Sequence, residues 1–383
     1  MNKHATVLLL LTVAVATPAW ADECMCDGSK TPKSTMVCDG SKTSIPTMVF
    51  GSTRCNPALG VPGEEIFSMN ADGTNVRRLT CPTNAQRIDA NFGGALSRDG
   101  KGRIVFDSNR NRAPGEPLNT SDLWLMKQDG TWETLLTRGS SATWSPNGKR
   151  IAFHRSASGT GLPVKIDPGA PTTDSVIFVA KVRDLLKGKP PKQITRPPDG
   201  QIDDDADWSP DGKWIVFTRK NRDDPDPNNP TSAEIYVIDA KGKGEPVRLT
   251  TNDFEERSPA WSPDGTRIVY SCRIGMLGSN GLEICVMNYP PDGSKPTQLT
   301  NNNLADLGPH WSPDGRKISF QRPAGVPVRQ QIWVMDLEQL DQNGFPVATQ
   351  FTQNPPDNPM ALNFAPDWGV ICPKDEDDED SDN

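Results

Sequence analysis

The chain has 383 residues, with 41 basic and 49 acidic side chains and a formal net charge of −8. No basic stripe stands ready to neutralise phosphates, which argues against nucleic acid as a partner. No apolar run reaches the ~20 residues needed to cross a bilayer, which argues against membrane insertion. Single cores rarely grow past about 250–300 residues, so a chain of this size is several domains or one large repeat.

Lys3 precedes an apolar run from Val7 to Ala16, and Ala19-Trp20-Ala21 places small residues at the two positions a signal peptidase reads. Residues 1–21 are therefore expected to be a cleaved signal peptide, and the mature protein periplasmic or extracellular. Residues 22–46 carry several cysteines and a duplication: "CDGSKTPKSTMV" from Cys26 is followed by "CDGSKTSIPTMV" from Cys38. Eight cysteines in an exported chain favour disulfides.

From residue 47 onward one phrase recurs. It reads Leu96-Ser-Arg-Asp-Gly100, Trp144-Ser-Pro-Asn-Gly148, Trp208-Ser-Pro-Asp-Gly212, Trp261-Ser-Pro-Asp-Gly265 and Trp311-Ser-Pro-Asp-Gly315. Its spacings are 48, 64, 53 and 50 residues. Asp-Gly or Asn-Gly suits a tight hairpin turn, because both residues tolerate the left-handed backbone. A short strand follows each turn ("RIVFDS", "RIAFHR", "WIVFTR", "RIVYSC", "KISFQR"), then a second ("DLWLM", "SVIFV", "EIYVI", "EICVM", "QIWVM"), then a segment ending in threonine ("LLT", "QIT", "RLT", "QLT", "QFT"). Each unit thus holds four β segments rich in branched and aromatic residues.

The two ends complement each other. "TMVFGS" from Thr47, "EEIFSMNADG" and "RRLT" supply strands two to four of a unit without its tryptophan phrase, and "NFAPDWGV" from Asn363 supplies a lone first strand, with Phe364 aligned to the tryptophan. The expected fold is all-β: a six-bladed β-propeller of four-stranded blades over residues 47–372, closed by pairing of the N- and C-terminal segments. The acidic stretch within 373–383 cannot bury apolar area and is expected to be a solvated tail.

These phrases resemble the Trp-Ser-Pro-Asp-Gly repeats of the TolB-like propellers, across nearly everything from Thr47 to Val370. The resemblance implies a rigid ring that serves binding in some members and forms part of an enzyme in others. TolB proper carries an α/β domain ahead of its propeller, whereas only 25 residues lie between Ala21 and Thr47.

Catalytic signatures are scarce. After the leader only His154 and His310 remain, too few for the histidine-rich manganese site of similar oligogalacturonate lyases, and no Gly-x-Ser-x-Gly elbow occurs. The long loops between strands two and three, Ser156 to Asp174 and Lys220 to Ala233, place elaboration on one rim, where a protein or peptide partner is expected. Asp203, Glu256 and Asp306 stand five residues before successive tryptophans, and Asp205 lies in the denser "DDDAD". Together they are the expected lining of the channel mouth on that rim, attracting a basic segment or calcium. Apart from calcium, no cofactor is expected. The preferred reading is a non-enzymatic binding scaffold of the cell envelope or the exterior; the alternative is a lyase or hydrolase acting on a polysaccharide or glycoside through the same carboxylates. Cys272 and Cys285, on neighbouring strands of one hairpin, are expected to form a disulfide, while Cys24, Cys26, Cys38, Cys55, Cys81 and Cys372 leave 15 pairings open.

Overall fold

The computed structural model describes residues 45–53, 64–80, 91–111, 121–156, 175–221, 233–251, 255–273, 281–302, 304–324, 329–353 and 361–371. The N-terminal duplication, the acidic tail and most of both long loops lie outside them. Within them the chain forms six four-stranded antiparallel sheets. In blades 2 to 6 the strands follow chain order, starting from Asn91–Leu96, Ser140–Trp144, Gln201–Trp208, Glu256–Trp261 and Leu307–Trp311. Blade 1 takes its first strand, Asn363–Ile371, from the other end of the chain and lays it beside Ile45–Ser52. The six first strands adjoin one another in turn around the ring, so they form its inner wall.

One alignment changes. Met48 faces Trp368, not Phe364, just as Ile215 faces Trp208 and Ile268 faces Trp261. Trp368 is thus the sixth copy of the repeated tryptophan, and Phe364 instead packs over Gly51, where no Cβ could fit. The physical reason is register: "SPAW", "GPHW" and "APDW" share a proline two residues before the tryptophan, and that proline belongs to Trp368.

The second strands read as unbroken apolar runs because both faces are covered by neighbouring blades. Six apolar clusters result, one per junction. Ala152 and Ile177 of blade 3 meet Trp208, Ile215 and Phe217 of blade 4, and Ile332 and Val334 of blade 6 meet Met48, Phe50 and Trp368 of blade 1. The repeated phrase has a local task as well. Ser209 Oγ donates to Asp211 Oδ1 (2.6 Å) and accepts from the Trp214 N–H (2.9 Å), and the Gly212 N–H closes the turn on the Ser209 carbonyl (2.9 Å). The same bonds recur at Ser262 and Ser312. Gly265 sits at φ 72°, and a Cβ there would come within 3.1 Å of Pro210 from the preceding blade, so proline and glycine of successive copies interlock. The repeated aspartates are thereby turn residues. Among the described residues the one helix is a single turn, Val182–Leu185, between the third and fourth strands of blade 3.

Each first strand bulges three residues before its tryptophan, or before Leu96 in blade 2. Ser141, Asp205, Ser258 and Ala365 have φ of 50°, 50°, 52° and 48°, and Gly308 lies at 58°. The bulge shifts the side-chain alternation, which decides where each acid of "DDDAD" goes.

Trp132 is a different outlier. It occupies φ 58° in the turn after Asp129-Gly130-Thr131 and is 51% exposed, whereas the equivalent residue of blade 1 is Asn75, a type that tolerates this conformation. Trp132→Asn is expected to stabilise the protein by about 1 kcal/mol, read as a higher unfolding midpoint. An unchanged or lower midpoint contradicts this.

Candidate functional site

In a ring of repeats, side chains that recur at every blade serve architecture, and departures from the repeat are the candidates for function. The recurring threonines at the blade ends are all engaged, whereas the indole N–H groups of Trp208, Trp261 and Trp311 are buried without a partner. At the end of the fourth strand, the hydroxyls of Thr80, Thr195, Thr250, Thr300 and Thr352 accept the N–H of Ile66, Ile177, Ile235, Ile284 and Ile332 at 2.9–3.0 Å. In four of these blades the same hydroxyl donates to the residue preceding that isoleucine: Glu65, Glu234, Glu283 or Gln331.

Three of the residues singled out from the sequence belong to this layer. Asp203, fully buried, receives Arg219 in a two-point pair (Nε–Oδ1 2.7 Å, Nη2–Oδ2 2.9 Å). Asp306, equally buried, receives Arg322 in the same way (both 2.7 Å) and a further bond from Asn302. Glu256 faces Cys272 where those blades have arginine, and shares a hydrogen bond with Glu234. The three sit in separate junctions, each against the preceding blade, so the fold does not gather them. Burial raises the carboxyl of Asp203, with Arg219 opposing.

What the fold does gather lies one and two residues further along. Asp204 faces the following blade, takes Lys220 Nζ at 2.6 Å on Oδ2 and leaves Oδ1 buried without a partner. Asp205 stands on the bulge, where Ser258 Oγ donates to its Oδ2 at 2.9 Å. Arg257 interacts with both aspartates and pairs with buried Glu255, which Arg273 also holds (2.8 Å). His154 interacts with Asp205 and Lys220, and its Nδ1 is buried without a partner. Burial and neighbouring Asp205 push Asp204 up to about 7, against Lys220 and Arg257; burial pushes His154 down. Separately, between blades 1, 2 and 3, burial pushes Asp107 up to about 6 and, with Asp107 beside it, Glu64 up to about 7, while Ser140 donates to Asp107 at 2.7 Å. Perturbed titration at clustered, non-repeated groups is the pattern of a functional site. The sequence contained a clue: Asp107 and His154 occupy the place after the second-strand aromatic where the other blades have Gly51, Thr218, Ser271 and Gln321.

Because Asp204 is raised in the fold, the folded state holds that proton more tightly than the unfolded chain. Its contribution is therefore present below the ordinary carboxylate value of about 4 and is lost as pH rises to about 7. Asp204→Asn is expected to raise the unfolding midpoint at pH 8 and to change it little at pH 4; equal shifts at both pH values contradict this.

The opposite mouth is tied across. Arg98, standing where other copies have proline, reaches over the ring to Asp207 Oδ1 (2.6 Å) and the Trp208 carbonyl (3.2 Å). Thr143 and the Trp261 N–H also donate to Asp207, and Asp367 takes the Leu96 N–H at 3.0 Å and faces His310 Nδ1 at 3.5 Å. This network touches all six blades. Cys272 and Cys285 are joined in a disulfide, with Cα atoms 5.8 Å apart, diagonal across the hairpin of blade 5. Among the described residues no group of three or more His, Cys, Asp or Glu is arranged to hold a metal ion, and no helix is long and apolar enough to cross a membrane.

No family model matches the chain. It is 35% identical over 148 residues to a probable dipeptidyl-peptidase 5 of Aspergillus niger and 32% identical over 71 residues to an uncharacterized peptidase, YuxL, of Bacillus subtilis. These matches cover 36% and 18% of this chain but only 18% and 10% of those proteins. Among solved structures it is similar to TolB from Acinetobacter baumannii (TM-score 0.58, 17% identity, 84% of this chain and 66% of that one) and to a putative TolB from Agrobacterium tumefaciens (0.51, 16%, 87% and 100%). A chain of a nidogen/laminin complex is similar at TM-score 0.54 and 10% identity over 85% of this chain and 98% of that one. With six four-stranded blades sealed by the C-terminal strand, the chain has the TolB-like β-propeller fold.

Proposed function

We propose that the chain is an exported, non-enzymatic propeller that binds a protein or peptide segment on the rim bearing the long loops, at the mouth between blades 3, 4 and 5. One observation carries this reading: the acids and bases that depart from the repeat, Asp204, Asp205, His154, Lys220 and Arg257, converge there. Export rests on the leader-like residues 1–21. The nidogen/laminin neighbour, a similar ring in a protein complex, supports recognition of protein. A glycoside-cleaving reading asks for two carboxylates free to flank a bond, and the arginine pairs at Asp203 and Asp306 speak against those two.

Photo-crosslinking decides the matter. A photoreactive residue in place of Lys220 is expected to capture a defined partner from envelope extract, while one in place of Lys213, on the opposite rim, is expected to capture none. Capture from Lys213 alone, or no specific capture at Lys220, overturns the reading.

A further inference from the structure

At two positions of the first strands the inner ring carries polar side chains on one half and apolar residues or glycine on the other. At the bulge position, blades 3, 4 and 5 carry Ser141, Asp205 and Ser258, whereas blades 2, 6 and 1 carry Gly93, Gly308 and Ala365. One residue earlier stand Ser140, Asp204 and Arg257 on the first half, and Leu307 and Phe364, both half-buried, on the second. Blades 1 and 4 are opposite each other in a ring of six, so Phe364 and Asp204 belong to opposite walls.

The polar wall already holds an ammonium. Lys220 Nζ lies 2.6 Å from Asp204 Oδ2, yet its side chain remains 35% exposed, and it stands at the root of the long loop that continues to Ala233. Asp204 itself is 8% exposed, and its second oxygen is buried with no donor. A buried carboxylate oxygen without a donor is costly, and a cation that approaches it gains a charge-assisted hydrogen bond. Asp205, held by Ser258, adds a second negative charge beside it. Lys220 is thus a tethered stand-in for a ligand: an outside ammonium that displaces it leaves the local charge unchanged and finds the carboxylate already desolvated.

We propose that this mouth binds a lysine side chain flanked by apolar residues, with the ammonium on Asp204 and Asp205 and the apolar flank on Leu307 and Phe364, and that Lys220 competes for the same carboxylate. The proposal rests on the binding reading above and names the chemistry of the segment bound.

Calorimetric titration of the full chain with acetyl-Leu-Lys-Leu-amide and with its norleucine counterpart tests it. The lysine peptide is expected to bind about tenfold or more tightly than the norleucine peptide, the range of one charge-assisted hydrogen bond. Lys220→Met is expected to tighten the lysine peptide several-fold by removing the competitor. Asp204→Asn is expected to abolish the preference for lysine while the protein stays folded, and Leu307→Ser to weaken both peptides alike. Equal affinity for the two peptides, no binding of either, or unchanged affinity in Lys220→Met overturns the proposal. If the peptides fail while crosslinking at position 220 still captures a partner, the binding reading stands and this inference falls.

Discussion

Arg219→Leu is expected to cost about 3–5 kcal/mol of stability, measured by denaturant unfolding, because it strips the partner from a carboxylate with no access to water. The expectation does not rest on the worth of the ion pair itself. Replacing a buried pair with apolar groups is often close to neutral, whereas removing one member leaves a charge that the interior cannot solvate. Asp203→Asn added to Arg219→Leu should therefore recover most of the loss. The guanidinium also lies 4.8 Å over the Tyr236 ring, so a residual deficit of about 1 kcal/mol should remain in the double variant. The pH dependence has a definite sign. In the single variant the folded pKa of Asp203 stands further above its unfolded value, so the deficit should shrink as pH falls toward 4 and grow as it rises. A deficit that is the same at pH 4.5 and pH 8 contradicts this account.

Trp208→Ala is expected to be comparably damaging, about 3–5 kcal/mol, since it empties a large buried volume between two sheets. Trp208 belongs to the first strand of blade 4 yet packs with Ala152 and Ile177 of blade 3, so its loss loosens a junction and not a single blade. In a closed ring every junction is flanked by two others, and partial collapse into the cavity is resisted on both sides. Trp132→Ala, on an exposed turn, is the internal control: it should not destabilise. If Trp208→Ala unfolds at the wild-type denaturant midpoint, the tryptophans are not the inter-blade keystones described above.

The ring was legible in the sequence because it repeats: four copies of Trp-Ser-Pro-x-Gly, the strands that follow them and the complementary ends are enough to count six sheets. At the last tryptophan, spacing and local pattern disagree. Phe364 lies at the expected distance from Trp311, but Pro366 marks Trp368 as the true counterpart. The candidate site was half legible. "DDDAD" announced acid near the channel, yet strict alternation puts Asp203, Asp205 and Asp207 on one face. The bulge at Asp205 reverses this, sending Asp203 into a junction beside Arg219, Asp204 toward Arg257, and Asp207 to the opposite mouth beside Arg98. No periodicity rule shows such a bulge in advance. The arginines did leave a mark, since "FTR" and "FQR" place them two residues after the aromatic of the second strand in the blades that carry Asp203 and Asp306. The pairing of Lys220 with Asp204 needs the hairpin register, in which Asp203 faces Arg219, and that register is a property of the folded sheet.

The C-terminal strand seals the ring of six sheets, and amide hydrogen exchange across that seam tests the closure most directly. Residues 363–371 pair with 45–52 along most of their length, so both segments should be protected together and to the same degree as Gln201–Trp208 in blade 4. Exchange of 363–371 at the rate of an unstructured tail, while blade 4 stays protected, contradicts the sealed ring and with it the placement of both channel mouths.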